Sequence, residues 1–133
     1  MTDPPAGNAA IAGALVCVVD DDESVRDSFR VLLESLGFAV TTHASGLDIL
    51  ADERRHEANC FIVDQHMPGM DGLATLGALH EERPGAQTIL VTGRLDAEIT
   101  ARAVALDVGA ILEKPFSTPR LLELLGAPRE PTR

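Results

Sequence analysis

Five short apolar runs, each separated from the next by a stretch with helical periodicity, constrain the fold of this 133-residue chain more than any other feature. The runs are rich in Val, Ile and Leu, as strands buried on both faces are. We predict strands at residues 15–19, 38–42, 60–64, 87–92 and 110–113. Because neighbouring parallel strands need a crossover between them, usually a helix, the alternation predicts one parallel sheet covered by helices on both faces.

Residues suited to helix ends flank the segments between the predicted strands. In the first segment Val25, Phe29 and Leu33 recur at helical spacing, and Gly37 follows as a terminator. The other predicted helices run from Ser45 to about Arg54, from Asp71 to His80, from Asp96 to Val108 and from Ser117 to about Leu125. We expect Gly109 to end the fourth helix. The resulting (βα)₅ order predicts a three-layer α/β sandwich with a doubly wound sheet.

Net charge and aromatic content argue against a nucleic-acid interface. The formal net charge is −10, and aromatic residues make up 3% of the chain. Proteins that hold a phosphate backbone use clustered Lys and Arg, and base stacking needs aromatic side chains. We therefore expect no direct contact with nucleic acid, and we expect any effect on DNA to pass through a partner.

Location and domain organisation are predicted from the lack of targeting patterns. The chain has no run of 18 apolar residues and no signal-peptide pattern, so we predict a cytoplasmic protein without membrane contact. Cys17 and Cys60 stand alone in apolar segments and are interpreted as buried, reduced thiols. We expect flexible tails at residues 1–14 and 126–133 around one folded domain at residues 15–125, with no output domain after it.

Polar residues follow four of the five predicted strands. Asp20 and Asp21 follow the first strand, Asp64 ends the third, Thr92 ends the fourth, and Lys114 follows the fifth. In open α/β sheets, ligands bind beyond the carboxyl ends of the strands. We therefore expect these five side chains to meet at one edge of the sheet.

This set of side chains indicates phosphoryl chemistry. Several carboxylates at one edge repel one another unless a cation compensates their charge, and an all-oxygen set without Cys or His side chains suits Mg²⁺. We predict that a carboxylate oxygen of Asp64 is the nucleophile for an incoming phosphoryl group. Thr92 can donate its hydroxyl to that group, and Lys114, the sole lysine of the chain, supplies a compact positive charge.

Four segments together resemble bacterial two-component response-regulator receivers. They are VVDDDESVRDS (18–28), FIVDQHMPGMDG (61–72), ILVTGR (89–94) and EKPF (113–116). The first is most similar to receivers attached to helix-turn-helix transcriptional regulators. The resemblance implies a chemotaxis-regulator-like, flavodoxin-like sheet with strand order 2-1-3-4-5.

The resemblance also implies individual roles. Asp64 is then the phosphoacceptor, Asp21 and Asp64 bind Mg²⁺ directly, Asp20 acts through water, and the backbone carbonyl of His66 is a further ligand. The peptide bond before Pro115 is expected to be cis. The chain would be a signalling phosphoprotein that catalyses only its own phosphorylation and dephosphorylation.

Implied partners are a sensor histidine kinase or phosphotransfer protein as donor, and an effector protein or separate output domain as receiver of the signal. The fourth and fifth helices are the expected surface for partners or dimerisation. Ile111 departs from the family pattern, which has Tyr or Phe at that position, so the usual aromatic response to phosphorylation is in doubt. His66 and Arg94 are hypothesised to affect how quickly water attacks the acyl phosphate.

Three alternatives from other classes fit parts of the sequence. In a haloacid-dehalogenase-type phosphohydrolase, Asp20 would be the nucleophile and Asp22 the acid, although Asp22 is equally well explained as a helix cap. A phosphorylation-independent interaction module would have the same fold and a silent site. A flavodoxin-like FMN protein fits poorly, because the first strand leads into aspartates instead of a hydroxyl- and glycine-rich phosphate loop.

Overall fold

The computed structural model describes residues 13–125 and contains one five-stranded parallel sheet. Its strands are β1 (Leu15–Val19), β2 (Ala39–His43), β3 (Cys60–Asp64), β4 (Gln87–Thr92) and β5 (Ala110–Glu113). They lie in the order β2-β1-β3-β4-β5, so the predicted fold class and strand order are confirmed. Each strand lies within one residue of its predicted position.

Among the described residues, four helices and one 3₁₀ turn connect the strands, and a fifth helix follows β5. They are α1 (Glu23–Ser35), α2 (Gly46–Ala51), the 3₁₀ turn (Glu53–Glu57), α3 (Gly72–Glu82), α4 (Ala97–Ala105) and α5 (Thr118–Leu124). The side chain of Asp22 accepts a hydrogen bond from the backbone N–H of Ser24 and caps α1, and Gly37 follows this helix with a φ of 96°. Helix α1 therefore begins and ends where the sequence predicts.

Apolar side chains cover both faces of the sheet. On one face α2, α3 and α4 pack through residues such as Ile49, Leu76 and Ile99, and on the other α1 and α5 pack through Leu33 and Leu121. Full burial of an aliphatic side chain stabilises the fold by about 1.5–3 kcal/mol. The three-layer sandwich is thus held by two separate apolar layers, and the strands carry their terminal residues on a rigid support.

Helix α2 is shorter than predicted. It ends at Ala51 and does not continue to Arg54, because the carboxylate of Asp52 accepts a hydrogen bond from the backbone N–H of Arg54. An aspartate that bonds its own downstream backbone favours a new turn over continuation of a helix. The 3₁₀ turn begins there.

The ends of α3 and α4 also differ from the predictions. Helix α3 continues to Glu82, whereas α4 ends at Ala105, three residues before the predicted end. Asp107, not Gly109, adopts the left-handed conformation after α4, with a φ of 62°. Gly109 serves a different purpose, because an added Cβ there would lie 2.9 Å from the backbone oxygen of Thr88.

Gly13 and Ala14, which the sequence analysis assigns to the N-terminal tail, are among the described residues. Gly13 donates a backbone hydrogen bond to Gly37, and Ala14 is buried. The rest of the two predicted tails, residues 1–12 and 126–133, lies outside the described residues. Among residues 13–125, no helix combines the length and apolar character needed to cross a membrane.

Cys17 and Cys60 are buried free thiols on neighbouring strands, as predicted. Cys17 packs with the apolar layer under α2, α3 and α4, whereas Cys60 packs with the layer under α1 and α5. The two side chains therefore lie on opposite faces of the sheet. Burial raises the pKa of both thiols, so they remain protonated near neutral pH.

Candidate functional site

The carboxyl ends of β1, β3, β4 and β5 meet along one edge of the sheet, which we call the carboxyl-end rim. It consists of Asp20, Asp21, Asp64, Thr92 and Lys114. The strands are parallel and in register, so residues that follow neighbouring strands lie side by side. Asp20, Asp64 and Thr92 are buried, and Asp21 is exposed.

Three carboxylates of the carboxyl-end rim lie together. Asp20, Asp21 and Asp64 each present an oxygen, and these oxygens all lie within 4.8 Å of one another. Burial raises the pKa of Asp20 above the usual range of an aspartate, and the charges of Asp64 and Asp21 raise it further, against the opposing effects of the Asp22 N–H and Lys114. The predicted convergence of the carboxylates and its electrostatic cost are both present.

The two carboxylate oxygens of Asp64 have different partners. Its Oδ2 accepts a hydrogen bond of 3.0 Å from the backbone N–H of His66. Its Oδ1 is buried and forms an ion pair with Nζ of Lys114 at 3.0 Å, with no other hydrogen-bond partner. A buried anionic oxygen held by a single cation has lone-pair capacity left, so this atom is suited to a further cation or an electrophile.

Lys114 reaches Asp64 from the segment after β5. Its backbone N–H donates to the carbonyl of Thr92, and its peptide bond to Pro115 is cis, as predicted. Partial burial by itself lowers the pKa of Lys114, but the hydrogen bond and charge of Asp64, with the charges of Asp20 and Asp21, outweigh burial and raise it. The amine therefore remains a cation at neutral pH.

The hydroxyl of Thr92 is already engaged. It accepts from the backbone N–H of Arg94 at 3.1 Å, lies 3.0 Å from the carbonyl oxygen of Arg94, and lies 3.3 Å from Nε2 of His66. A hydroxyl has one proton, so it donates either to that carbonyl or to the imidazole. A phosphoryl oxygen at this site would compete for the same proton.

The structure adds detail to the interpretation of Asp22 and of Ile111. Asp22 is exposed, and its Oδ1 accepts from both the N–H and the hydroxyl of Ser24, which accounts for it as the cap of α1. Ile111 is partly buried and packs against the apolar layer under α2, α3 and α4.

The donor set fits a hard divalent cation. Carboxylate oxygens from Asp20, Asp21 and Asp64 are ligands of the type that Mg²⁺ prefers. Lys114 contacts Asp64, yet burial and the neighbouring carboxylates keep the pKa of Asp20 raised, so the lysine does not fully compensate the negative charge of the cluster.

Two site residues were missed by the sequence analysis. The side chain of Gln65 is buried and donates to Asp71 Oδ2 at 3.1 Å, while its Oε1 accepts from the N–H of Leu73 at 2.8 Å. Asp71 caps α3 and also contacts Arg102 of α4. The capping position of Asp71 could be read from the sequence, whereas the contacts of Gln65 depend on how the loop closes.

A cavity of about 610 Å³ adjoins the carboxyl-end rim beside α1. Its lining is mainly apolar and includes Phe29, Leu32 and Phe116, with Lys114 at its border. None of the three clustered carboxylates lines it. This cavity is therefore not the place where charged groups of the site converge.

Comparison with known proteins gives a consistent family match. The family model for the response regulator receiver domain matches residues 16–126. The transcriptional regulatory protein FixJ of Azorhizobium caulinodans is 36% identical over 112 residues, covering 84% of this chain and 53% of FixJ. The C4-dicarboxylate transport transcriptional regulatory protein DctR of Rhodobacter capsulatus is 34% identical over 111 residues, covering 82% of this chain and 56% of DctR. The chain thus spans about half the length of these curated relatives.

Solved structures agree with the family match. The chemotaxis protein CheY4 of Vibrio cholerae has a TM-score of 0.79 at 28% identity, covering 86% of this chain and 97% of CheY4. A CheY-like response regulator receiver domain protein of Methanospirillum hungatei has a TM-score of 0.77 at 30% identity, covering 84% of this chain and 90% of that protein.

Proposed function

Since this chain belongs to the response regulator receiver domain family of two-component systems, we propose that Asp64 is its phosphoacceptor and that Asp20, Asp21, Thr92 and Lys114 assist the transfer. The observation that carries the assignment is the buried Oδ1 of Asp64, which lies 3.0 Å from Lys114 Nζ and has no other hydrogen-bond partner. Receiver domains of this family are signalling domains that are phosphorylated on an aspartate and act with histidine kinases and output domains.

In the proposed reaction a carboxylate oxygen of Asp64 attacks the phosphorus of the donor. This oxygen forms a new bond to phosphorus. At the same time the bond between phosphorus and the donor breaks, and the donor leaves with the electron pair of that bond. The new acyl phosphate gives Lys114 anionic oxygens to contact in place of Oδ1. Thr92 can then donate its hydroxyl proton to a phosphoryl oxygen and release the Arg94 carbonyl.

Mg²⁺ is the proposed cofactor, held by Asp21 and Asp64, by Asp20 through water, and by the backbone carbonyl of His66. When bound, it would neutralise charge on the carboxylates and on the transferred group. The cluster of three carboxylate oxygens supports this assignment. His66 and Arg94 flank Thr92, which supports the hypothesis that they affect the lifetime of the acyl phosphate.

We further propose a sensor histidine kinase or phosphotransfer protein as donor, and an effector protein or output domain as receiver of the signal, with α4 and α5 as the contact or dimerisation surface. The chain would catalyse only its own phosphorylation and dephosphorylation. We propose a cytoplasmic setting for these interactions.

The test is intact-mass measurement and peptide mapping after incubation with acetyl phosphate, with and without Mg²⁺. The wild type should gain one hydroxylamine-labile phosphoryl group only with Mg²⁺, and Asp64→Asn should gain none. Glu82→Gln, which removes a carboxylate at the opposite end of the sheet, serves as the matched control and should be labelled like the wild type. Label on Asp20 would favour a phosphohydrolase, and no label from acetyl phosphate or a panel of kinases would favour the silent interaction module.

A further inference from the structure

The loop after Asp64 is closed on itself by Gln65. The backbone N–H of Gln65 donates to the carbonyl of Val91 in β4 at 2.8 Å, and its own carbonyl accepts from the N–H of Gly72 at 3.1 Å. Its side-chain Oε1 accepts from the N–H of Leu73 at 2.8 Å. One buried residue therefore holds both ends of the loop between β3 and α3.

Asp71 determines the orientation of the Gln65 amide. A carboxylate only accepts hydrogen bonds, so Nε2 of Gln65 must face Asp71 Oδ2, and Oε1 must face the N–H of Leu73. The other carboxylate oxygen accepts from the N–H of Ala74 at 2.9 Å and caps α3. A shift of Asp71 would therefore move the side chain of Gln65, the residue next to Asp64.

Arg102 contacts this carboxylate from α4. Its two terminal nitrogens lie 3.2 Å from Oδ2 and 3.4 Å from Oδ1 of Asp71. Both side chains are partly exposed, and an ion pair of this kind adds little to stability. The cap of α3 already satisfies Asp71 without Arg102, so the contact has its main effect on position.

Helix α4 is tied to the carboxyl-end rim at a second point. Only the segment 93–96 separates Thr92 from α4, and the Thr92 hydroxyl is bonded within that segment to Arg94. The helix is therefore connected to the site through Thr92 at its start and through Arg102 in its second half.

We propose that Arg102 is a positioning residue for phosphoryl transfer, which acts through Asp71 and Gln65 on the loop that follows Asp64 and contains His66. The inference rests on the proposed function and adds a coupling between α4 and the rate of acyl-phosphate formation.

The test compares Arg102→Gln with Arg55→Gln. Arg55 is the matched control, because it forms a two-pronged contact with Glu82, at 2.8 and 3.3 Å, between the 3₁₀ turn and α3, away from the carboxyl-end rim. At saturating acetyl phosphate and Mg²⁺, Arg102→Gln should lower the maximal rate of labelling about three- to ten-fold with little change in KM. Arg55→Gln should leave the rate unchanged, and both variants should have similar unfolding midpoints.

Two further variants separate positioning from stability. Arg102→Lys keeps one charged contact and should recover part of the lost rate. Asp71→Asn keeps an acceptor for the cap of α3 but turns an amide towards Gln65, so it should be at least as slow as Arg102→Gln. The double variant should be no slower than Asp71→Asn alone, because both changes break one pathway.

The outcomes separate this inference from the proposed function. A labelled wild type with equal rates for Arg102→Gln and Arg55→Gln would overturn the role of Arg102 and leave the phosphoacceptor assignment intact. If the wild type takes no label, calorimetric titration with Mg²⁺ tests the geometry of the same loop, because the backbone carbonyl of His66 is a proposed ligand. Arg102→Gln should then weaken Mg²⁺ binding about two- to five-fold relative to Arg55→Gln, and equal affinities would overturn the inference.

Discussion

The two ends of the sheet treat charge in opposite ways. At the carboxyl-end rim, three carboxylates lie within 4.8 Å of one another and share the single amine of Lys114. At the other end, which we call the amino-end rim, the carboxylate of Glu82 has both oxygens matched by the guanidinium of Arg55. Charge is compensated at one end and concentrated at the other.

The hydrogen bonds of Asn59 and Asp64, at the two ends of β3, show the same contrast. Asn59 at the amino-end rim accepts from Leu15 through Oδ1, donates to Leu15 through its N–H, and accepts from Gln87 through its carbonyl. It thereby ties the starts of β1, β3 and β4 together. Asp64, at the other end of β3, has one carboxylate oxygen whose partner is the amine of Lys114 and no other group. The amino-end rim pairs its polar groups, whereas the carboxyl-end rim holds buried charge at a cost in stability.

The largest expected effect is on phosphorylation, from Lys114→Gln. Removal of the amine leaves developing phosphoryl charge without its fixed cation, and the maximal rate of labelling by acetyl phosphate should fall about 100-fold. Arg55→Gln removes a cation from the amino-end rim and should leave the rate unchanged. Equal rates for the two variants would remove the functional distinction between the rims.

The next effect is on stability, from Gly72→Ala. An added Cβ would lie 2.4 Å from the carbonyl oxygen of Asp64 and 2.7 Å from Cα of Gln65, both backbone atoms that cannot rotate away. We expect a loss of about 2–3 kcal/mol in the free energy of unfolding, measured in urea. Gly85→Ala is the control, in the turn between α3 and β4. A Cβ added there would have no non-neighbouring atom within 4 Å, so this change should leave the free energy of unfolding nearly unchanged.

Asn59→Ala should destabilise the protein without affecting phosphorylation. The change leaves the N–H of Leu15 without its acceptor, at a cost of about 1–2 kcal/mol. Urea unfolding and acetyl phosphate labelling of the same preparation provide the two readings. A slower labelling rate would mean that the amino-end rim also influences the reaction.

The smallest effect should be a gain in stability from Asp20→Asn without Mg²⁺. Because the pKa of Asp20 is raised in the folded protein, the ionised carboxylate destabilises the fold at neutral pH, and stability recovers as the pH falls through that raised pKa. We expect Asp20→Asn to be slightly more stable than the wild type at pH 7 in EDTA.

Two controls accompany this measurement. The difference between Asp20→Asn and the wild type should disappear below the ordinary aspartate pKa of 3.8, where the wild-type carboxyl is protonated in both the folded and the unfolded state. Saturating Mg²⁺ at pH 7 should also reduce this difference in stability, because the cation stabilises the charged site of the wild type. A less stable Asp20→Asn in EDTA would contradict the electrostatic strain assigned to the carboxyl-end rim.

Much of the fold and the rim could be predicted from sequence, because the information is local. Most strands are largely apolar runs, and the polar residues of the rim end or directly follow the strands, as Asp64 and Lys114 do. Parallel pairing then brings such residues together regardless of how the loops fold. Helix α1 was predicted for the same reason, since its cap at Asp22 and its terminator at Gly37 lie beside it in sequence.

Two helix ends were missed although they are local, because residue types other than Gly end α2 at Asp52 and adopt the left-handed conformation at Asp107. Features that depend on tertiary contacts could not be predicted. Gln65 is an ordinary loop residue in sequence, and its role exists only because the loop returns to place Asp71 and Leu73 against it. The contact of Arg102 with Asp71 spans 31 positions and has no local pattern.

The position of Lys114 makes the rim chemically addressable. Because it is the sole lysine of the chain, the reactivity of ε-amines towards an acylating reagent is a property of this one site. Its raised pKa and its contact with Asp64 leave little free amine in the resting protein, so acylation is slow. A change at Asp64 that alters its charge beside Lys114 would change the rate at which Lys114 is acylated. The acylation rate of this single lysine therefore reports the state of the carboxyl-end rim.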